Sequence, residues 1–267
     1  MAQIHPTAII APGARIAEDV VIGPYCVVGE HVSLAAGVSL SSHVVVEGRT
    51  AIGERTRIFP FASIGLEPQD LKYKGEPSSL EIGHDNTIRE HVTINPGTEG
   101  GGMMTRVGNH CLLMVGAHVA HDCQIGDHVI LVNNATLSGH VVMEDHAILG
   151  GLSAVHQFVR IGRHAMIGGM SGVERDVIPY GLVMGDRARL NGLNIIGMQR
   201  RGFSRDDIQV LRSAYNCLFG DDAGTLSARV DEVERRFGGI GPVDELVAFI
   251  RADSSRAICQ PKGPNGG

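Results

Sequence analysis

The chain has 267 residues, with 43% hydrophobic and only 4% aromatic residues, 36 glycines and no tryptophan. Its net charge of −6 argues against a general binder of nucleic acids or anionic membranes. No stretch is apolar over the roughly 18 residues of a membrane span, and the first residues lack the features of a signal peptide, so we expect a cytoplasmic protein.

An aliphatic residue recurs at every sixth position over the first two thirds of the chain. The run covers residues 4 to 64, returns from 82 to 94, and continues one residue out of phase from 107 to 173. An amphipathic helix needs a period of 3.6, which a strict period of six does not keep. Hexapeptide repeats are typical of a parallel β-helix, in which each hexad forms one short strand and three hexads form one triangular coil. Residues 18 apart should therefore stack about 4.8 Å apart.

The repeat lapses twice, at about residues 65–81 and 95–106. Both segments are polar and rich in turn residues, so we expect two loops that leave the prism. Glycine often follows the aliphatic position, as in Ile22-Gly23 and Ile125-Gly126, which predicts corners with φ angles that favour glycine. We place a first domain, the coil with its two loops, at residues 1–190.

One histidine segment differs from the other scattered histidines because of what the repeat stacks on it. Adding 18 to His121 gives Gly139, and adding 18 to Asp122 gives His140, while His156 and Gln157 belong to the coil after that. A base, an adjacent carboxylate and a glycine N–H are the groups that acyl transfer needs. A polar ladder on a solvated face has the same spacing, so both interpretations stay open on spacing alone.

A metal site is a further alternative for this cluster, since histidines on a β-helix can bind zinc. His118 and His121 would point to opposite faces of one short strand, which counts against a shared ion. The five cysteines form no CxxC pair, so a thiolate site is not indicated and we expect core thiols.

The pattern changes to helical spacing near the C-terminus. Ser204 has the character of an N-cap, and Ile208, Leu211 and Leu218 follow it at helical spacing. Two further segments repeat that spacing, which predicts three helices in an α-helical domain at residues 191–267.

Seven motifs together resemble the UDP-N-acetylglucosamine acyltransferase family over almost the whole length. They are Gln69-Asp70-Leu71-Lys72-Tyr73, Gly100-Gly101-Gly102, Ala117-His118-Val119-Ala120-His121-Asp122-Cys123, Ser138-Gly139-His140-Val141, Ala154-Val155-His156-Gln157-Phe158, Arg200-Arg201-Gly202-Phe203 and the hexads themselves. Hexads are shared by many acyl and acetyl transferases, whereas the histidine motifs at these spacings are specific.

The resemblance implies a left-handed parallel β-helix, assembled as a homotrimer with active sites between subunits. It implies transfer of an (R)-3-hydroxyacyl group from acyl carrier protein to the glucosamine 3-hydroxyl of UDP-N-acetylglucosamine, the first step of lipid A biosynthesis. No metal and no bound cofactor are implied.

The resemblance also assigns roles to individual residues. His121 would be the general base, Asp122 its partner, and Gly139 the donor to the oxyanion. The implied substrate-binding residues are His118, His140, His156 and Gln157 along the site, Gln69, Asp70 and Lys72 toward the sugar, and Asn194 and Arg200 toward the nucleotide. Gly169 and Met170 are expected at the far end of the acyl channel.

Two residues depart from the family pattern. Asn95 stands where histidine is common, which puts a phosphate contact in doubt, and Ile196 stands where an acidic residue is common. Nucleoside recognition would then depend more on Asn194 and Arg200.

Three other functions compete with this interpretation. The later N-acyltransferase of the same pathway also resembles a hexad prism but carries an additional amino-terminal domain, whereas here Ile4 already begins the phase. A CoA-dependent acetyltransferase and a non-catalytic hexad scaffold are the others. The acyl chain length, and a 3-hydroxyl against a 3-amino acceptor, stay open.

Overall fold

The computed structural model describes residues 1–220 and 224–262. Nearly every hexad forms a two-residue strand, because the triangular path lets only two residues extend before the next corner. The strands are β1 (Gln3–Ile4), β2 (Ile9–Ile10), β3 (Arg15–Ile16), β4 (Val21–Ile22), β5 (Val27–Val28), β6 (Ser33–Leu34), β7 (Ser39–Leu40), β8 (Val45–Val46), β9 (Arg49–Ile52), β10 (Arg57–Ile58), β11 (Ser63–Ile64), β12 (Ser79–Ile82), β13 (Thr87–Ile88), β14 (Thr93–Ile94), β15 (Met104–Val107), β16 (Leu112–Leu113), β17 (His118–Val119), β18 (Gln124–Ile125), β19 (Ile130–Leu131), β20 (Thr136–Leu137), β21 (Val142–Met143), β22 (Ile148–Leu149), β23 (Ala154–Val155), β24 (Arg160–Ile161), β25 (Met166–Ile167), β26 (Gly172–Val173), β27 (Gly181–Met184) and β28 (Arg189–Leu193).

Every third strand joins the same sheet, so the coil has three flat faces. Sheet I runs β1-β4-β7-β10-β13-β16-β19-β22-β25-β27-β28, sheet II runs β2-β5-β8-β11-β14-β17-β20-β23-β26, and sheet III runs β3-β6-β9-β12-β15-β18-β21-β24. The strand pairs are parallel except for the last, where β28 returns antiparallel to β27. The pairing of His118 with Thr136 confirms the 18-residue register. We call the prism corners I–II, II–III and III–I after the sheets that they join.

The core is a narrow shaft of aliphatic and small side chains. The repeated aliphatic residues such as Leu113 and Leu131 are fully buried, and so are the small or β-branched residues two positions before them, such as Cys111 and Val129. Four of the five free cysteines are buried, as the sequence predicts. Burial raises the pKa of the Cys111 and Cys123 thiols to about 12, which keeps them neutral and unreactive.

The predicted reason for the glycines after the aliphatic positions is wrong. Gly23 and Gly126 do not have positive φ angles; a Cβ at Gly126 would lie 2.3 Å from the Asp145 carboxylate in the next coil. Close approach of successive coils therefore requires these glycines. The left-handed backbone lies two residues later and is adopted mostly by residues other than glycine, including His128 (φ 57°) and His146 (φ 61°).

Both loops leave the prism at corner II–III. Loop 1, residues 65–78, connects β11 to β12, and loop 2, residues 95–103, connects β14 to β15 and contains a 3₁₀ turn at Glu99–Gly101. Each loop ends a few residues earlier than predicted, because β12 and β15 begin at Ser79 and Met104. Since the next coil passes through His121 and Asp122 at the same corner, the two loops cover that position.

The coil extends beyond Val173, where the hexads stop, because β27 still adds to sheet I in parallel. Four helices follow among the described residues: α1 (Ile195–Arg200), α2 (Arg205–Phe219), α3 (Leu226–Phe237) and α4 (Gly241–Arg251). The sequence predicts three; it misses α1, which spans six residues. The predicted cap is confirmed, since the Asp207 N–H donates to Ser204 Oγ. Residues 221–223 and 263–267 of the predicted second domain lie outside the described residues. No helix in the described ranges is long and apolar enough to span a membrane.

Candidate active site

The site is built on the turn of corner II–III that joins β17 to β18. His121 and Asp122 form this turn, and Asp122 adopts a left-handed backbone with φ 60°. The His121 Nδ1 lies 2.8 Å from Asp122 Oδ2, and both residues are buried, with 8% and 4% exposure. The expectation that His118 and His121 share a strand is wrong, because β17 ends at Val119 and the chain has turned before His121.

Asp122 is held by threonines on both sides. The Thr98 N–H donates to Oδ1 at 2.9 Å, and the Thr98 hydroxyl donates to Oδ2 at 2.6 Å. The Asp122 N–H donates to Thr105 Oγ1 at 2.7 Å. Carboxylate oxygens accept from both Thr98 groups, and the same acceptor role at Oδ2 makes His121 Nδ1–H the third donor. The lone pair of the imidazole therefore lies on Nε2.

Gly139 lies one coil along, directly against the His121 ring. A Cβ at this position would lie 2.5 Å from His121 Cε1 and 2.6 Å from Nε2, so only glycine lets the imidazole approach. In the described part of the chain, the Gly139 N–H makes no hydrogen bond. A free N–H beside a base with an open lone pair can hold a developing oxyanion.

Two more histidines flank the ring. His140 packs edge-on to His121 at a centroid distance of 5.0 Å and stacks on Phe158 at 4.4 Å. The Nδ1 of His118 lies 2.6 Å from Thr93 Oγ1. Burial lowers the pKa of both His118 and His140, with the nearby His121 adding to it, so they are neutral at pH 7.

Loop 1 lies on the Nε2 side. Asp70 Oδ2 is 4.0 Å from His121 Nε2, and its other oxygen accepts the Lys72 N–H. Lys72 lies near enough to His140 to oppose protonation of that ring. Gln69 and Lys72 are exposed, while Asp70 is half-buried. The structure thus brings two of the predicted sugar-side residues, Asp70 and Lys72, close to His121 and His140.

In the coil after Gly139, His156 and Gln157 contact Arg256, a C-terminal residue that sequence reasoning misses. Arg256 Nη2 lies 2.7 Å from His156 Nδ1, and its Nε–H donates to the Gln157 carbonyl at 3.0 Å. No spacing rule relates residues 100 positions apart, so the sequence holds no signal for this contact.

The remaining predicted residues lie at other corners of the prism. Asn194 caps α1, and its Nδ2 donates to the carbonyl of His164 at corner III–I, where Arg200 follows on the exposed end of α1. Gly169 and Met170 lie at corner I–II, across sheet II from His121. A single chain does not bring these four residues to the His121 corner.

The two departures from the family pattern have different environments. Asn95 is buried, and its Nδ2 donates to the carbonyls of Leu66 and Glu67, so it anchors the start of loop 1. Ile196 is 64% exposed on α1.

The atoms that could bind a metal ion at this site already make hydrogen bonds. His121, Asp122 and His140 have potential ligand atoms within 4.8 Å of one another. The Asp122 oxygens and His121 Nδ1 are committed to the hydrogen bonds above, so the arrangement is that of a hydrogen-bonded base.

Comparison with known proteins agrees with this architecture. A model of domain 2 of UDP-N-acetylglucosamine O-acyltransferase matches residues 176–259, and a bacterial transferase hexapeptide model matches residues 1–36 and 104–139. The chain is 68% identical to the acyl-[acyl-carrier-protein]--UDP-N-acetylglucosamine O-acyltransferase of Methylobacterium radiotolerans, over 97% of this chain and 95% of that one. It is 53% identical to the protein of that name from Caulobacter vibrioides, over 97% and 98%.

A solved structure of LpxA from Acinetobacter baumannii superposes with a TM-score of 0.93 at 46% identity, covering 96% of this chain and 99% of that one. The expected left-handed parallel β-helix with a helical C-terminal part is confirmed. The chain therefore belongs to the acyl-[acyl-carrier-protein]--UDP-N-acetylglucosamine O-acyltransferase family and is an acyltransferase.

Proposed function

We propose that the chain moves an (R)-3-hydroxyacyl group from acyl carrier protein to the glucosamine 3-hydroxyl of UDP-N-acetylglucosamine, with His121 as general base. This would be the first step of lipid A biosynthesis and would take place in the cytoplasm. The observation that carries the proposal is the buried His121–Asp122 pair, whose open Nε2 faces Asp70 and lies against the Gly139 backbone.

The reaction needs one proton to move out and back. Nε2 of His121 takes the proton of the 3-hydroxyl while that oxygen attacks the thioester carbon, and Asp122 stabilises the imidazolium that forms. The Gly139 N–H donates to the carbonyl oxygen as it becomes negative. When the C–S bond breaks, the imidazolium returns the proton to the thiolate of the carrier, and the ester remains on the sugar.

The roles of the surrounding residues follow from their places. Asp70 accepts from a second hydroxyl of the sugar, beside the one that approaches Nε2, with Gln69 and Lys72 on the same loop. Neutral His118 and His140 leave His121 without a competing cation, and His156 and Gln157 border the site on the next coil. Neither a metal nor a bound cofactor takes part.

A homotrimer would complete the site. Asn194 and Arg200 at corner III–I, and Gly169 and Met170 at corner I–II, cannot reach His121 within one prism. Packing prisms side by side brings a corner of one chain against a corner of its neighbour. The assigned nucleotide and acyl-channel roles of these residues therefore support a site between subunits.

The test is substitution of the base with a matched control. His121→Ala should lower the transfer rate by roughly 10²- to 10⁴-fold, the usual contribution of a general base, with the melting temperature kept. His5→Ala changes an exposed histidine of the first coil, far from His121 along the prism, and should retain normal transfer. Initial rates with hydroxyacyl carrier protein and UDP-N-acetylglucosamine measure both.

Two outcomes of that assay would contradict the proposal. Near-normal transfer by folded His121→Ala would remove His121 from the chemistry. Turnover of acetyl-CoA in preference to the acyl carrier protein would favour a CoA-dependent acetyltransferase. Prolonged chelation should leave the wild-type rate unchanged, and loss restored by zinc would favour the metal alternative.

A further inference from the structure

The Asp122 carboxylate depends on loop 2 for two of its three hydrogen-bond donors. Both come from Thr98, 24 positions earlier in the chain, and Thr98 is itself 95% buried. We propose that Thr98 is a positioning residue, which acts through Asp122 to hold the imidazole of His121 in its reactive orientation. This inference rests on the proposed function of His121.

The physical reason is the cost of a buried carboxylate. A carboxylate without water must be satisfied by donors, and bonds to a charged acceptor are about twice as strong as neutral ones. The Thr98 hydroxyl and His121 Nδ1–H share Oδ2, so the hydroxyl fixes the rotation of the carboxylate that in turn fixes the ring. Without the hydroxyl, Oδ2 keeps His121 as its one donor, and the carboxylate holds the ring in its orientation less precisely.

Loop 2 is shaped to deliver Thr98 to this place. The N–H groups of Gly101 and Met103 donate to the Thr98 carbonyl at 3.1 and 2.9 Å, which closes the 3₁₀ turn. A Cβ at Gly101 would overlap Asp122 Cγ, so the backbone of the turn packs directly against the carboxylate. A Cβ at the neighbouring Gly100 would meet no atom within 4 Å.

The two loops thereby hold opposite sides of one ring. Loop 2 acts on the Nδ1 side through Asp122, and loop 1 presents Asp70 on the Nε2 side. The Glu99 N–H donates to Glu76 Oε1 at 3.1 Å and joins the loops to each other. A bare hexad coil would carry His121 and Asp122 without these supports.

Thr98→Val keeps the branched shape and the backbone N–H while removing the hydroxyl. We expect kcat to fall about 10- to 100-fold with the KM for UDP-N-acetylglucosamine within about twofold, because orientation of the base is lost and not binding. Thr98→Ser restores the hydroxyl and should recover most of kcat. A purely structural role would instead lower the melting temperature and leave kcat per folded protein unchanged.

The pH profile of kcat/KM gives a second, independent readout. The charged and titratable groups that face His121 are Asp122, Asp70, His118, His140 and, beyond His140, Lys72. Thr98→Val leaves all of these in place but concentrates negative charge on Oδ2, which holds the imidazolium more strongly. The acid limb should therefore move to higher pH, and an unmoved limb would contradict the proposal.

A double-mutant cycle tests whether Thr98 acts through Asp122. In an Asp122→Asn background, Thr98→Val should cause little further loss, and full additivity of the two losses would overturn the inference. Gly101→Ala should reproduce the loss of kcat, with Gly100→Ala as the silent control. If His121→Ala is inactive while Thr98→Val equals wild type, only this inference fails; an active His121→Ala is the failure of the proposed function.

Discussion

At the scale of single residues, the geometry of His121 is defined by contacts on three sides. Asp122 binds Nδ1, Asp70 lies 4.0 Å from Nε2, and the Gly139 backbone lies against the ring itself. The contact with Asp122 decides which nitrogen is the base, because Asp122 accepts from Nδ1–H, and Asp70 lies on the side of the open Nε2. The third contact is steric: the His121 ring can lie this close to the backbone only because Gly139 has no Cβ.

Gly139→Ala tests that third contact. The added methyl carbon would meet His121 Cε1 at 2.5 Å, a distance that forces the ring away and covers the N–H proposed for the oxyanion. We expect a loss of kcat of at least 10²-fold, in the range seen when an oxyanion donor is removed. Single-turnover rates and a melting curve measure it; a folded variant with wild-type kcat would exclude Gly139 from the site.

At the scale of the element, corner III–I carries a column of stacked histidines. His128 stacks on His146 at 4.6 Å, and His146 stacks on His164 at 4.7 Å, with the rings nearly parallel. The column ends in the interior, where His164 stacks on Tyr180 and the Tyr180 hydroxyl donates to Glu245 of α4. Stacking of neighbouring coils helps to offset the cost of the left-handed backbone at these residues.

The inner end of this column predicts acid sensitivity. Burial lowers the pKa of His164 to about 4, with His146, Arg201 and Arg163 adding to the effect against a smaller opposite influence of Asp145. A histidine with a depressed pKa folds in its neutral form, so its contribution is complete above about pH 6.5 and is lost as the pH falls toward 4. At pH 5 the loss is about 2 kcal/mol.

His164→Phe keeps an aromatic ring in the stack but cannot be protonated. The wild-type melting temperature should fall between pH 7 and pH 5, and the fall should be clearly smaller in the variant. Calorimetry at the two pH values measures the difference. Equal falls in both proteins would show that His164 does not control the acid response.

At the scale of the whole molecule, the ion pair of Arg160 with Asp176 lies where the helical part meets the coil. Arg160 of β24 donates to Asp176 at 2.7 Å, and its guanidinium also donates to the Phe249 carbonyl of α4 and lies 4.4 Å from the Phe249 ring centroid. Asp176 is fully buried, and the segment around Ile258 pairs with it. The coil, α4 and the C-terminal segment therefore meet at Asp176.

Asp176→Ala should destabilise the protein by about 3 kcal/mol, because the Arg160 side chain, only 17% exposed, loses the fully buried carboxylate that pairs with it. Proteolysis of the C-terminal helices should become faster at the same time. Glu174→Ala is the matched control, since its pair with Arg187 is exposed and should be worth less than about 1 kcal/mol. Similar melting temperatures for the two variants would contradict this account of the domain contact.

The sequence by itself determined the coil and the partners along it. A period of six fixes strand, corner and 18-residue register locally, so the placing of His121, Gly139 and His140 at one corner follows by counting. The sequence did not reveal why glycine follows the aliphatic positions. Glycine is needed both where two coils approach closely and where the backbone takes a positive φ, so its presence does not distinguish the two causes.

Only the tertiary structure decided what lies around that corner. Thr98 and Gly101 reach Asp122 from a loop whose conformation follows no period, and Arg256 reaches His156 across 100 positions. Asn194 and Arg200 follow the end of the hexads and lie at another corner, which no spacing rule could specify. The repeat determines position along the prism, whereas insertions and the C-terminal segment take their places from three-dimensional packing.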